Sequence, residues 1–129
     1  MRLLIDTQVL LWSLCQPKKL LPALRTRLID SANQVFFSSV SIAEIAIKSS
    51  LGRNDFSFQA EEVTAAALQT GFIELPLDSR QAMRVAGLPW HHRDPFDRLM
   101  IAQAIEDGLR FVTADNLLLR YTDLVECVA

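Results

Sequence analysis

Short apolar runs alternate with helical patterns along nearly the whole chain. Buried strands of a parallel sheet read as continuous apolar runs, and the connection between two parallel strands is usually a helix. The sequence predicts strands at residues 2–5, 35–37, 72–75, 110–113 and 124–128, and helices at residues 9–14, 22–32, 41–50, 59–70, 79–86, 95–107 and 116–120. The alternation therefore predicts an α/β sandwich in which helices flank a mostly parallel central sheet.

Capping residues support several of these helix boundaries. Asp78 precedes one predicted helix, and Asp94 followed by Pro95 opens another, because Asp caps a helix N-terminus and Pro suits its first position. Gly71 and Gly108 follow two other predicted helix ends, where glycine adopts a left-handed conformation at low cost. These signals set boundaries to within a few residues.

Length and charge narrow the class of protein. The 129 residues fit one domain, residues 1–129, and the net charge of −2 argues against a simple basic nucleic-acid binder. An enzyme acting on nucleic acid stays possible, because bound metal ions can supply positive charge.

The isolated Cys15 and Cys127 match no metal-ligand spacing, and no signal peptide or long apolar run is found. We expect a cytoplasmic protein with no membrane span. Its mean hydropathy of +0.20 suggests that a partner covers some apolar surface.

Acidic residues follow several of the predicted strands. The carboxyl ends of parallel strands and the N-termini of the next helices meet at one edge of a sheet. Carboxylates gathered there repel one another, so that such a cluster needs a cation. Oxygen ligands favour Mg²⁺, or Mn²⁺, over zinc. The candidate ligands are Asp6, Glu44, Asp97 and Asp115.

Each of these acids also has a purely structural explanation. Asp6 and Asp115 can cap the helices that follow them. Ser41 and Glu44 fit a capping box, in which the Glu44 side chain would reach the Ser41 amide. Asp97, in the first turn of its helix, would stabilise the helix N-terminus. Taken singly, the structural explanations are favoured; taken together, the placement favours a shared site.

The chain resembles PIN-domain proteins, and especially the VapC-type toxins of bacterial toxin–antitoxin pairs. The most specific segment is DPFDRLMIAQA within residues 88–104, and the others are LLIDTQVLLW (3–12), SSVSIAEIAIK (38–48) and FVTAD (111–115). The resemblance implies a PIN-like three-layer sandwich and an Mg²⁺-dependent ribonuclease. Its catalytic and metal-binding carboxylates would be Asp6, Glu44, Asp97 and Asp115, while Asp94 either joins the site or only caps the helix.

Further residues near these motifs have two interpretations each. Thr7 and Thr113 are candidates for orienting ligands or water, although Thr at a strand end is often structural. Arg98 is a candidate for an RNA phosphate contact or a surface salt bridge. Other residues near the motifs are Lys48, Arg53, Arg93, His91, His92, Trp12 and Trp90. For His91 and His92 the two interpretations are a metal role and a solvent-exposed loop position, and we expect the second. We expect Trp12 to pack in the core or on a partner.

The resemblance also implies partners: an RNA substrate, a cognate VapB-like antitoxin docked by a helix in a groove, and a second copy of the chain. Apolar residues 10–14 would form part of the covered surface. Two alternatives stay open. One is a non-catalytic protein-binding module with the same fold. The other is a phosphotransfer or phosphatase domain, which is disfavoured because Gln8 stands where the dehalogenase-type motif needs a second Asp.

Overall fold

The computed structural model describes residues 1–52 and 57–128 and contains a five-stranded sheet. Its strands are β1 (Arg2–Ile5), β2 (Gln34–Ser38), β3 (Ile73–Leu75), β4 (Arg110–Thr113) and β5 (Val125–Cys127). They lie in the order β3-β2-β1-β4-β5, and every neighbouring pair is parallel. The prediction of an α/β fold around a parallel sheet is confirmed.

Six α-helices connect or flank the strands in the described part of the chain: α1 (Thr7–Cys15), α2 (Pro22–Ile29), α3 (Ser39–Ser50), α4 (Ala60–Thr70), α5 (Ser79–Arg84) and α6 (Pro95–Asp107). Short 3₁₀ helices occupy Pro17–Lys19, Val85–Gly87 and Asn116–Arg120. None of these helices is long and apolar enough to cross a membrane.

The predicted helix boundaries agree best with the structure where a capping residue is present. Helix α6 has the predicted bounds, with Asp94 as its N-cap and Gly108, at φ 65°, just after its end. Helix α2 ends at Ile29 and does not continue to Ala32 as predicted. The Asp30 side chain accepts a hydrogen bond from the Ala32 amide at 2.9 Å, so a local turn replaces the last helical turn.

Side chains alternate between the two faces of the sheet and produce three layers. On β1, Leu3 and Ile5 pack in a core with residues of α1, α2 and α4. Leu4 faces the opposite core, which includes Met100 and Ile101 of α6. The side chains of Leu3, Leu4 and Ile5 are fully buried, as expected for a central strand covered on both faces.

The strand order determines where a site can form. From β1 the chain first builds β2 and β3 on one side and then returns to build β4 and β5 on the other. The point where the direction of winding reverses lies between β1 and β4. In open α/β sheets, ligands bind in the crevice at the carboxyl ends of the strands at this point. Asp6 and Asp115 follow those two strand ends.

Candidate metal centre

Asp6 lies at the bottom of the crevice between β1 and β4. Its Oδ1 accepts a hydrogen bond from the Val9 amide at 2.7 Å, so it caps α1 as predicted. Its Oδ2 accepts from Thr113 Oγ1 at 2.6 Å and from the Ala114 amide at 3.0 Å. Burial raises the pKa of Asp6 above its usual value, despite these hydrogen bonds. The cap and the candidate ligand are therefore one carboxylate, held rigidly by two strands.

Glu44 is presented by α3, which begins earlier than predicted. The Ser38 hydroxyl accepts from the Val40 amide at 2.9 Å and caps a helix that starts at Ser39. Glu44 is therefore in the second turn, not the first. Ser41 lies inside the helix, so the predicted capping box between Ser41 and Glu44 is wrong. Because Ser38 caps the helix, the Glu44 carboxylate is free to make other contacts.

Both carboxylate oxygens of Glu44 have partners in the site. Thr7 Oγ1 donates to Oε1 at 2.7 Å, and Lys48 Nζ donates to Oε2 at 2.6 Å. The Thr7 hydroxyl also lies 2.8 Å from the buried Ser41 Oγ. Thr7 and Lys48 thus orient Glu44, and Lys48, a basic residue near the motifs, is paired with this carboxylate.

Helix α6 brings two more carboxylates to the same edge. Asp94 caps the helix, with Oδ1 accepting from the Phe96 amide at 2.8 Å and from the Asp97 amide at 3.3 Å. Asp97 Oδ2 lies 3.0 Å from His92 Nε2. One ligand atom each from His92, Asp94 and Asp97 lies within 4.8 Å of the other two. The Asp94 cap is confirmed, and its place in the group makes it a candidate ligand as well.

The carboxylates of the site interact electrostatically. Burial raises the pKa of Asp97 to about 7, and the nearby negative charges of Asp94, Asp6 and Glu44 add to the rise, while the contact with His92 opposes it. A carboxyl group with such a pKa is protonated or needs a cation at neutral pH.

Asp115 completes the group from the end of β4. Its Oδ1 accepts from the Leu117 amide at 2.9 Å, which is the predicted cap, and its own amide donates to Thr113 Oγ1 at 3.0 Å. Its Oδ2 lies 3.7 Å from His92 Nε2. Thr113 therefore connects Asp6 with the backbone of Asp115, in agreement with its predicted orienting role.

These side chains share one cleft of about 460 Å³. Its walls include the carboxylates of Asp6, Glu44, Asp94, Asp97 and Asp115, and Lys48 is the basic residue among its lining residues. Several anionic oxygens around one cavity fit a hard divalent cation such as Mg²⁺ or Mn²⁺. The donor set is therefore suited to the metal ion that the sequence analysis predicts.

The expectation for His92 is wrong, whereas His91 is exposed as expected. The His92 side chain is only 20% exposed and contacts two of the carboxylates. No periodic pattern locates a loop residue in space, so the available signal was its position five residues before Asp97 in the HHRDPFD segment. His91 instead packs edge-on against Tyr121, with ring centroids 5.0 Å apart.

Both interpretations of Arg98 are wrong. The residue is only 3% exposed, so it makes neither an RNA contact nor a surface salt bridge. It donates to the carbonyl oxygen of Pro89 at 2.8 Å and to Tyr121 Oη at 3.1 Å. Its guanidinium also lies 3.9 Å from the centroid of the Trp90 ring. Arg98 therefore fixes the loop that precedes α6, and one face of Trp90 is already covered.

The remaining candidates lie around the cleft or away from it. Arg93, named above as a basic residue near the motifs, is exposed in the loop beside α6. Arg53 lies outside the described residues. Trp12 is half-buried and packs against the core on the α1 side of the sheet, as one of the two expectations stated.

Comparisons with known proteins identify the fold and the family. A sequence model described as the PIN domain matches residues 3–124. The chain is similar to a chain of VapBC2 from Rickettsia felis bound to a DNA fragment from their promoter, with a TM-score of 0.72, 16% identity and 100% of both chains covered.

Two further solved structures have the same fold. DNA-bound VapBC from Salmonella typhimurium gives a TM-score of 0.70 at 15% identity, covering 100% of this chain and 99% of that chain. VapBC-5 from Mycobacterium tuberculosis gives 0.56 at 20% identity, covering 98% and 97%. A comparison with curated proteins gives no match.

Proposed function

The chain belongs to the PIN domain family, and from this premise we propose that it is a metal-dependent endoribonuclease. One observation carries the proposal: carboxylates from separate parts of the chain line one cleft at the point where the sheet reverses its direction of winding, and burial together with the charges of neighbouring carboxylates raises the pKa of Asp97 to about 7. Caps alone do not explain this convergence, because a helix cap needs no second carboxylate nearby. A shared cation explains it.

The side chains of the site have different proposed roles. When bound, a divalent cation supplies an activated water and offsets charge on the scissile phosphate. Asp6, Asp97 and Asp115 are the ligands that we propose for it. Asp6 is fixed by three hydrogen bonds, so its carboxylate needs little reordering. Glu44, whose two oxygens are held by Thr7 and Lys48, positions the attacking water.

We propose RNA as the substrate because the resemblance to PIN-domain proteins implies a ribonuclease. The acidic cleft fits this class of reaction, since the oxygens of a phosphodiester need a cation there. Arg93, exposed in the loop before α6, is placed to contact a neighbouring phosphate. Hydrolysis by a metal-activated water should leave a 5′-phosphate and a 3′-hydroxyl. These end groups distinguish this reaction from cleavage through the 2′-hydroxyl, which leaves a 2′,3′-cyclic phosphate.

The reaction can be tested on a mixed RNA pool. We expect Mg²⁺ or Mn²⁺ to support cleavage by the full chain, EDTA to stop it and added metal to restore it. Sequencing libraries that require a 5′-phosphate would map the cut sites. Metal-independent cleavage, or products ending in a cyclic phosphate, would contradict the proposal and indicate a contaminating ribonuclease.

We also propose that the protein is the toxin of a toxin–antitoxin pair and acts in the cytoplasm. The similar solved structures are VapBC complexes, which supports this role. A shallow groove between α3 and α4 is lined by the apolar residues Ile42, Ala60, Ala65 and Leu68 together with Glu61 and Thr64, and it suits the apolar face of an amphipathic antitoxin helix. Residues 10–14 offer less surface than expected, because Leu10 and Leu11 are buried in the core.

Co-expression tests the partner. We expect the chain to purify as a stable complex with the product of a small adjacent reading frame, and Leu68→Glu to weaken that complex at least tenfold, because a charge enters an apolar contact. Glu62→Gln, an exposed change on the same helix, is the matched control. No complex with the adjacent product, or equal binding by Leu68→Glu, would contradict the proposal.

Light scattering of the isolated chain should give twice its mass of 14.5 kDa if it forms the proposed homodimer.

A non-catalytic binding module of the same fold is the second candidate. The groove between α3 and α4 is compatible with it, but the cluster of carboxylates has no role there beyond capping. Removal of one carboxylate without loss of the fold separates the two functions.

A further inference from the structure

His92 adds a nitrogen donor to a cluster that is otherwise made of carboxylates. Its Nε2 lies 3.0 Å from Asp97 Oδ2 and 3.7 Å from Asp115 Oδ2. We propose that His92 is a ligand of the cation, together with Asp94 and Asp97, and that it makes the site prefer Mn²⁺ to Mg²⁺. The inference rests on the proposed function in that it requires a divalent cation in this cleft.

The distances suit a shared ion. Donors on adjacent vertices of an octahedron lie about 3.0 Å apart when the bonds are about 2.1 Å long. His92 Nε2 and Asp97 Oδ2 have this separation, and a ligand atom of Asp94 lies within 4.8 Å of both groups. Asp94 uses Oδ1 to cap α6, which leaves Oδ2 for a cation. Small side-chain rotations would bring the three donors around one ion.

The backbone of His92 is held by Tyr121. The His92 amide donates to Tyr121 Oη at 2.9 Å, and the hydroxyl donates to the His92 carbonyl at 3.3 Å. Arg98 donates a further hydrogen bond to the same Oη at 3.1 Å. The phenol thus uses its one proton and both acceptor positions within this network. The imidazole is presented by a fixed backbone.

Arg98 attaches the loop to the helix that carries Asp97. Besides its bonds to Pro89 and Tyr121, it donates to the carbonyl oxygens of Val85 and Leu88 at 3.3 and 3.4 Å. A buried guanidinium needs such partners, since an unpaired one would be costly. Because Arg98 directly follows Asp97, these contacts fix His92 relative to Asp97. Arg98 and Tyr121 are therefore positioning residues for the ligand.

The nitrogen ligand determines the preference among cations. Mg²⁺ binds oxygen and keeps several waters, so an imidazole adds little to its affinity. Mn²⁺ is the weakest binder among the first-row transition metals, but as a transition-metal ion it accepts a nitrogen donor more readily than Mg²⁺ does. Removing the imidazole should therefore lower the affinity for Mn²⁺ about 10- to 100-fold and change that for Mg²⁺ less than about threefold.

Calorimetric titration of the full chain with Mn²⁺ and with Mg²⁺ tests this selectivity in His92→Asn. His91→Asn is the matched control, because His91 is the adjacent histidine, is exposed and does not belong to the group of candidate ligand atoms formed by His92, Asp94 and Asp97. We expect His92→Asn to lose the preference for Mn²⁺ and His91→Asn to keep it. Tyr121→Phe, which keeps the ring and removes the hydroxyl, should lower the Mn²⁺ affinity about three- to tenfold.

Pulsed electron paramagnetic resonance of the Mn²⁺-loaded protein tests the bond itself. We expect a ¹⁴N coupling in the parent and in His91→Asn, and none in His92→Asn. A parent without ¹⁴N coupling, or a His92→Asn variant with unchanged Mn²⁺ affinity, overturns the inference. If RNA cleavage persists in either case, the proposed nuclease stands without a histidine ligand. If neither cation binds the parent, both proposals fail.

Discussion

Asp97→Asn is expected to lower metal-dependent RNA cleavage about 10³-fold, equivalent to about 4 kcal/mol in the activation barrier. The substitution keeps the shape of the side chain and removes one negative ligand from the cleft. The Asn oxygen can still accept a hydrogen bond from His92 Nε2, so the local contact is preserved. Initial rates on a short fluorescent RNA, with saturating Mg²⁺, measure the loss.

Asp30→Asn is the matched control for this prediction. Asp30 lies before β2, at the opposite edge of the sheet from the cleft, and its cap to the Ala32 amide can be made by Asn. The Asp30→Asn variant should cleave RNA at the rate of the parent protein. If Asp97→Asn also cleaved like the parent while circular dichroism showed an unchanged fold, the nuclease proposal would fail and the non-catalytic binding module would be favoured.

The same substitution is expected to stabilise the metal-free protein at pH 8 by up to about 4 kcal/mol. The pKa of Asp97 is about 7 in the folded protein and 3.8 in the absence of its surroundings. Between these values the folded chain holds a proton that the unfolded chain has released. The free energy of unfolding therefore falls as the pH rises from about 4 to about 7, and stays low above that range. Asn cannot ionise and removes this penalty.

Urea unfolding in EDTA at pH 5 and pH 8 measures this effect. The parent and Asp30→Asn should both lose stability between the two pH values relative to Asp97→Asn. The raised pKa of Asp6 contributes in the same direction in all three proteins. An identical pH dependence in the parent and Asp97→Asn would mean that the Asp97 carboxylate is neither buried enough nor close enough to its neighbours to matter.

Much of the fold was predictable because local signals and burial agree. Residues 2–5 form a continuous apolar run, and they occupy the centre of the sheet, where both faces are covered. Asp94, Pro95 and Gly108 set the ends of α6 at the predicted residues. The same reasoning placed Asp6, Asp97 and Asp115 at one edge, because all three follow strands or begin helices at the carboxyl side of a parallel sheet.

The errors arise where a tertiary contact decides the outcome. Whether Ser38 or Ser41 begins α3 depends on which hydroxyl finds the right amide, and the sequence offers both. Arg98 is buried because three backbone carbonyls and a phenol from outside its own helix replace water around it. His92 reaches the carboxylates only because that network holds its loop. None of these contacts produces a periodic pattern in the amino-acid sequence from which it could be predicted.

Anomalous diffraction from a crystal soaked in Mn²⁺ tests the central claim most directly. The account predicts a strong anomalous peak in the cleft, within about 2.5 Å of carboxylate oxygens of Asp6, Asp97 and Asp115, and the further inference places donors of His92 and Asp94 at the same ion. A cleft with no such peak, while other sites in the same crystal bind Mn²⁺, would contradict it.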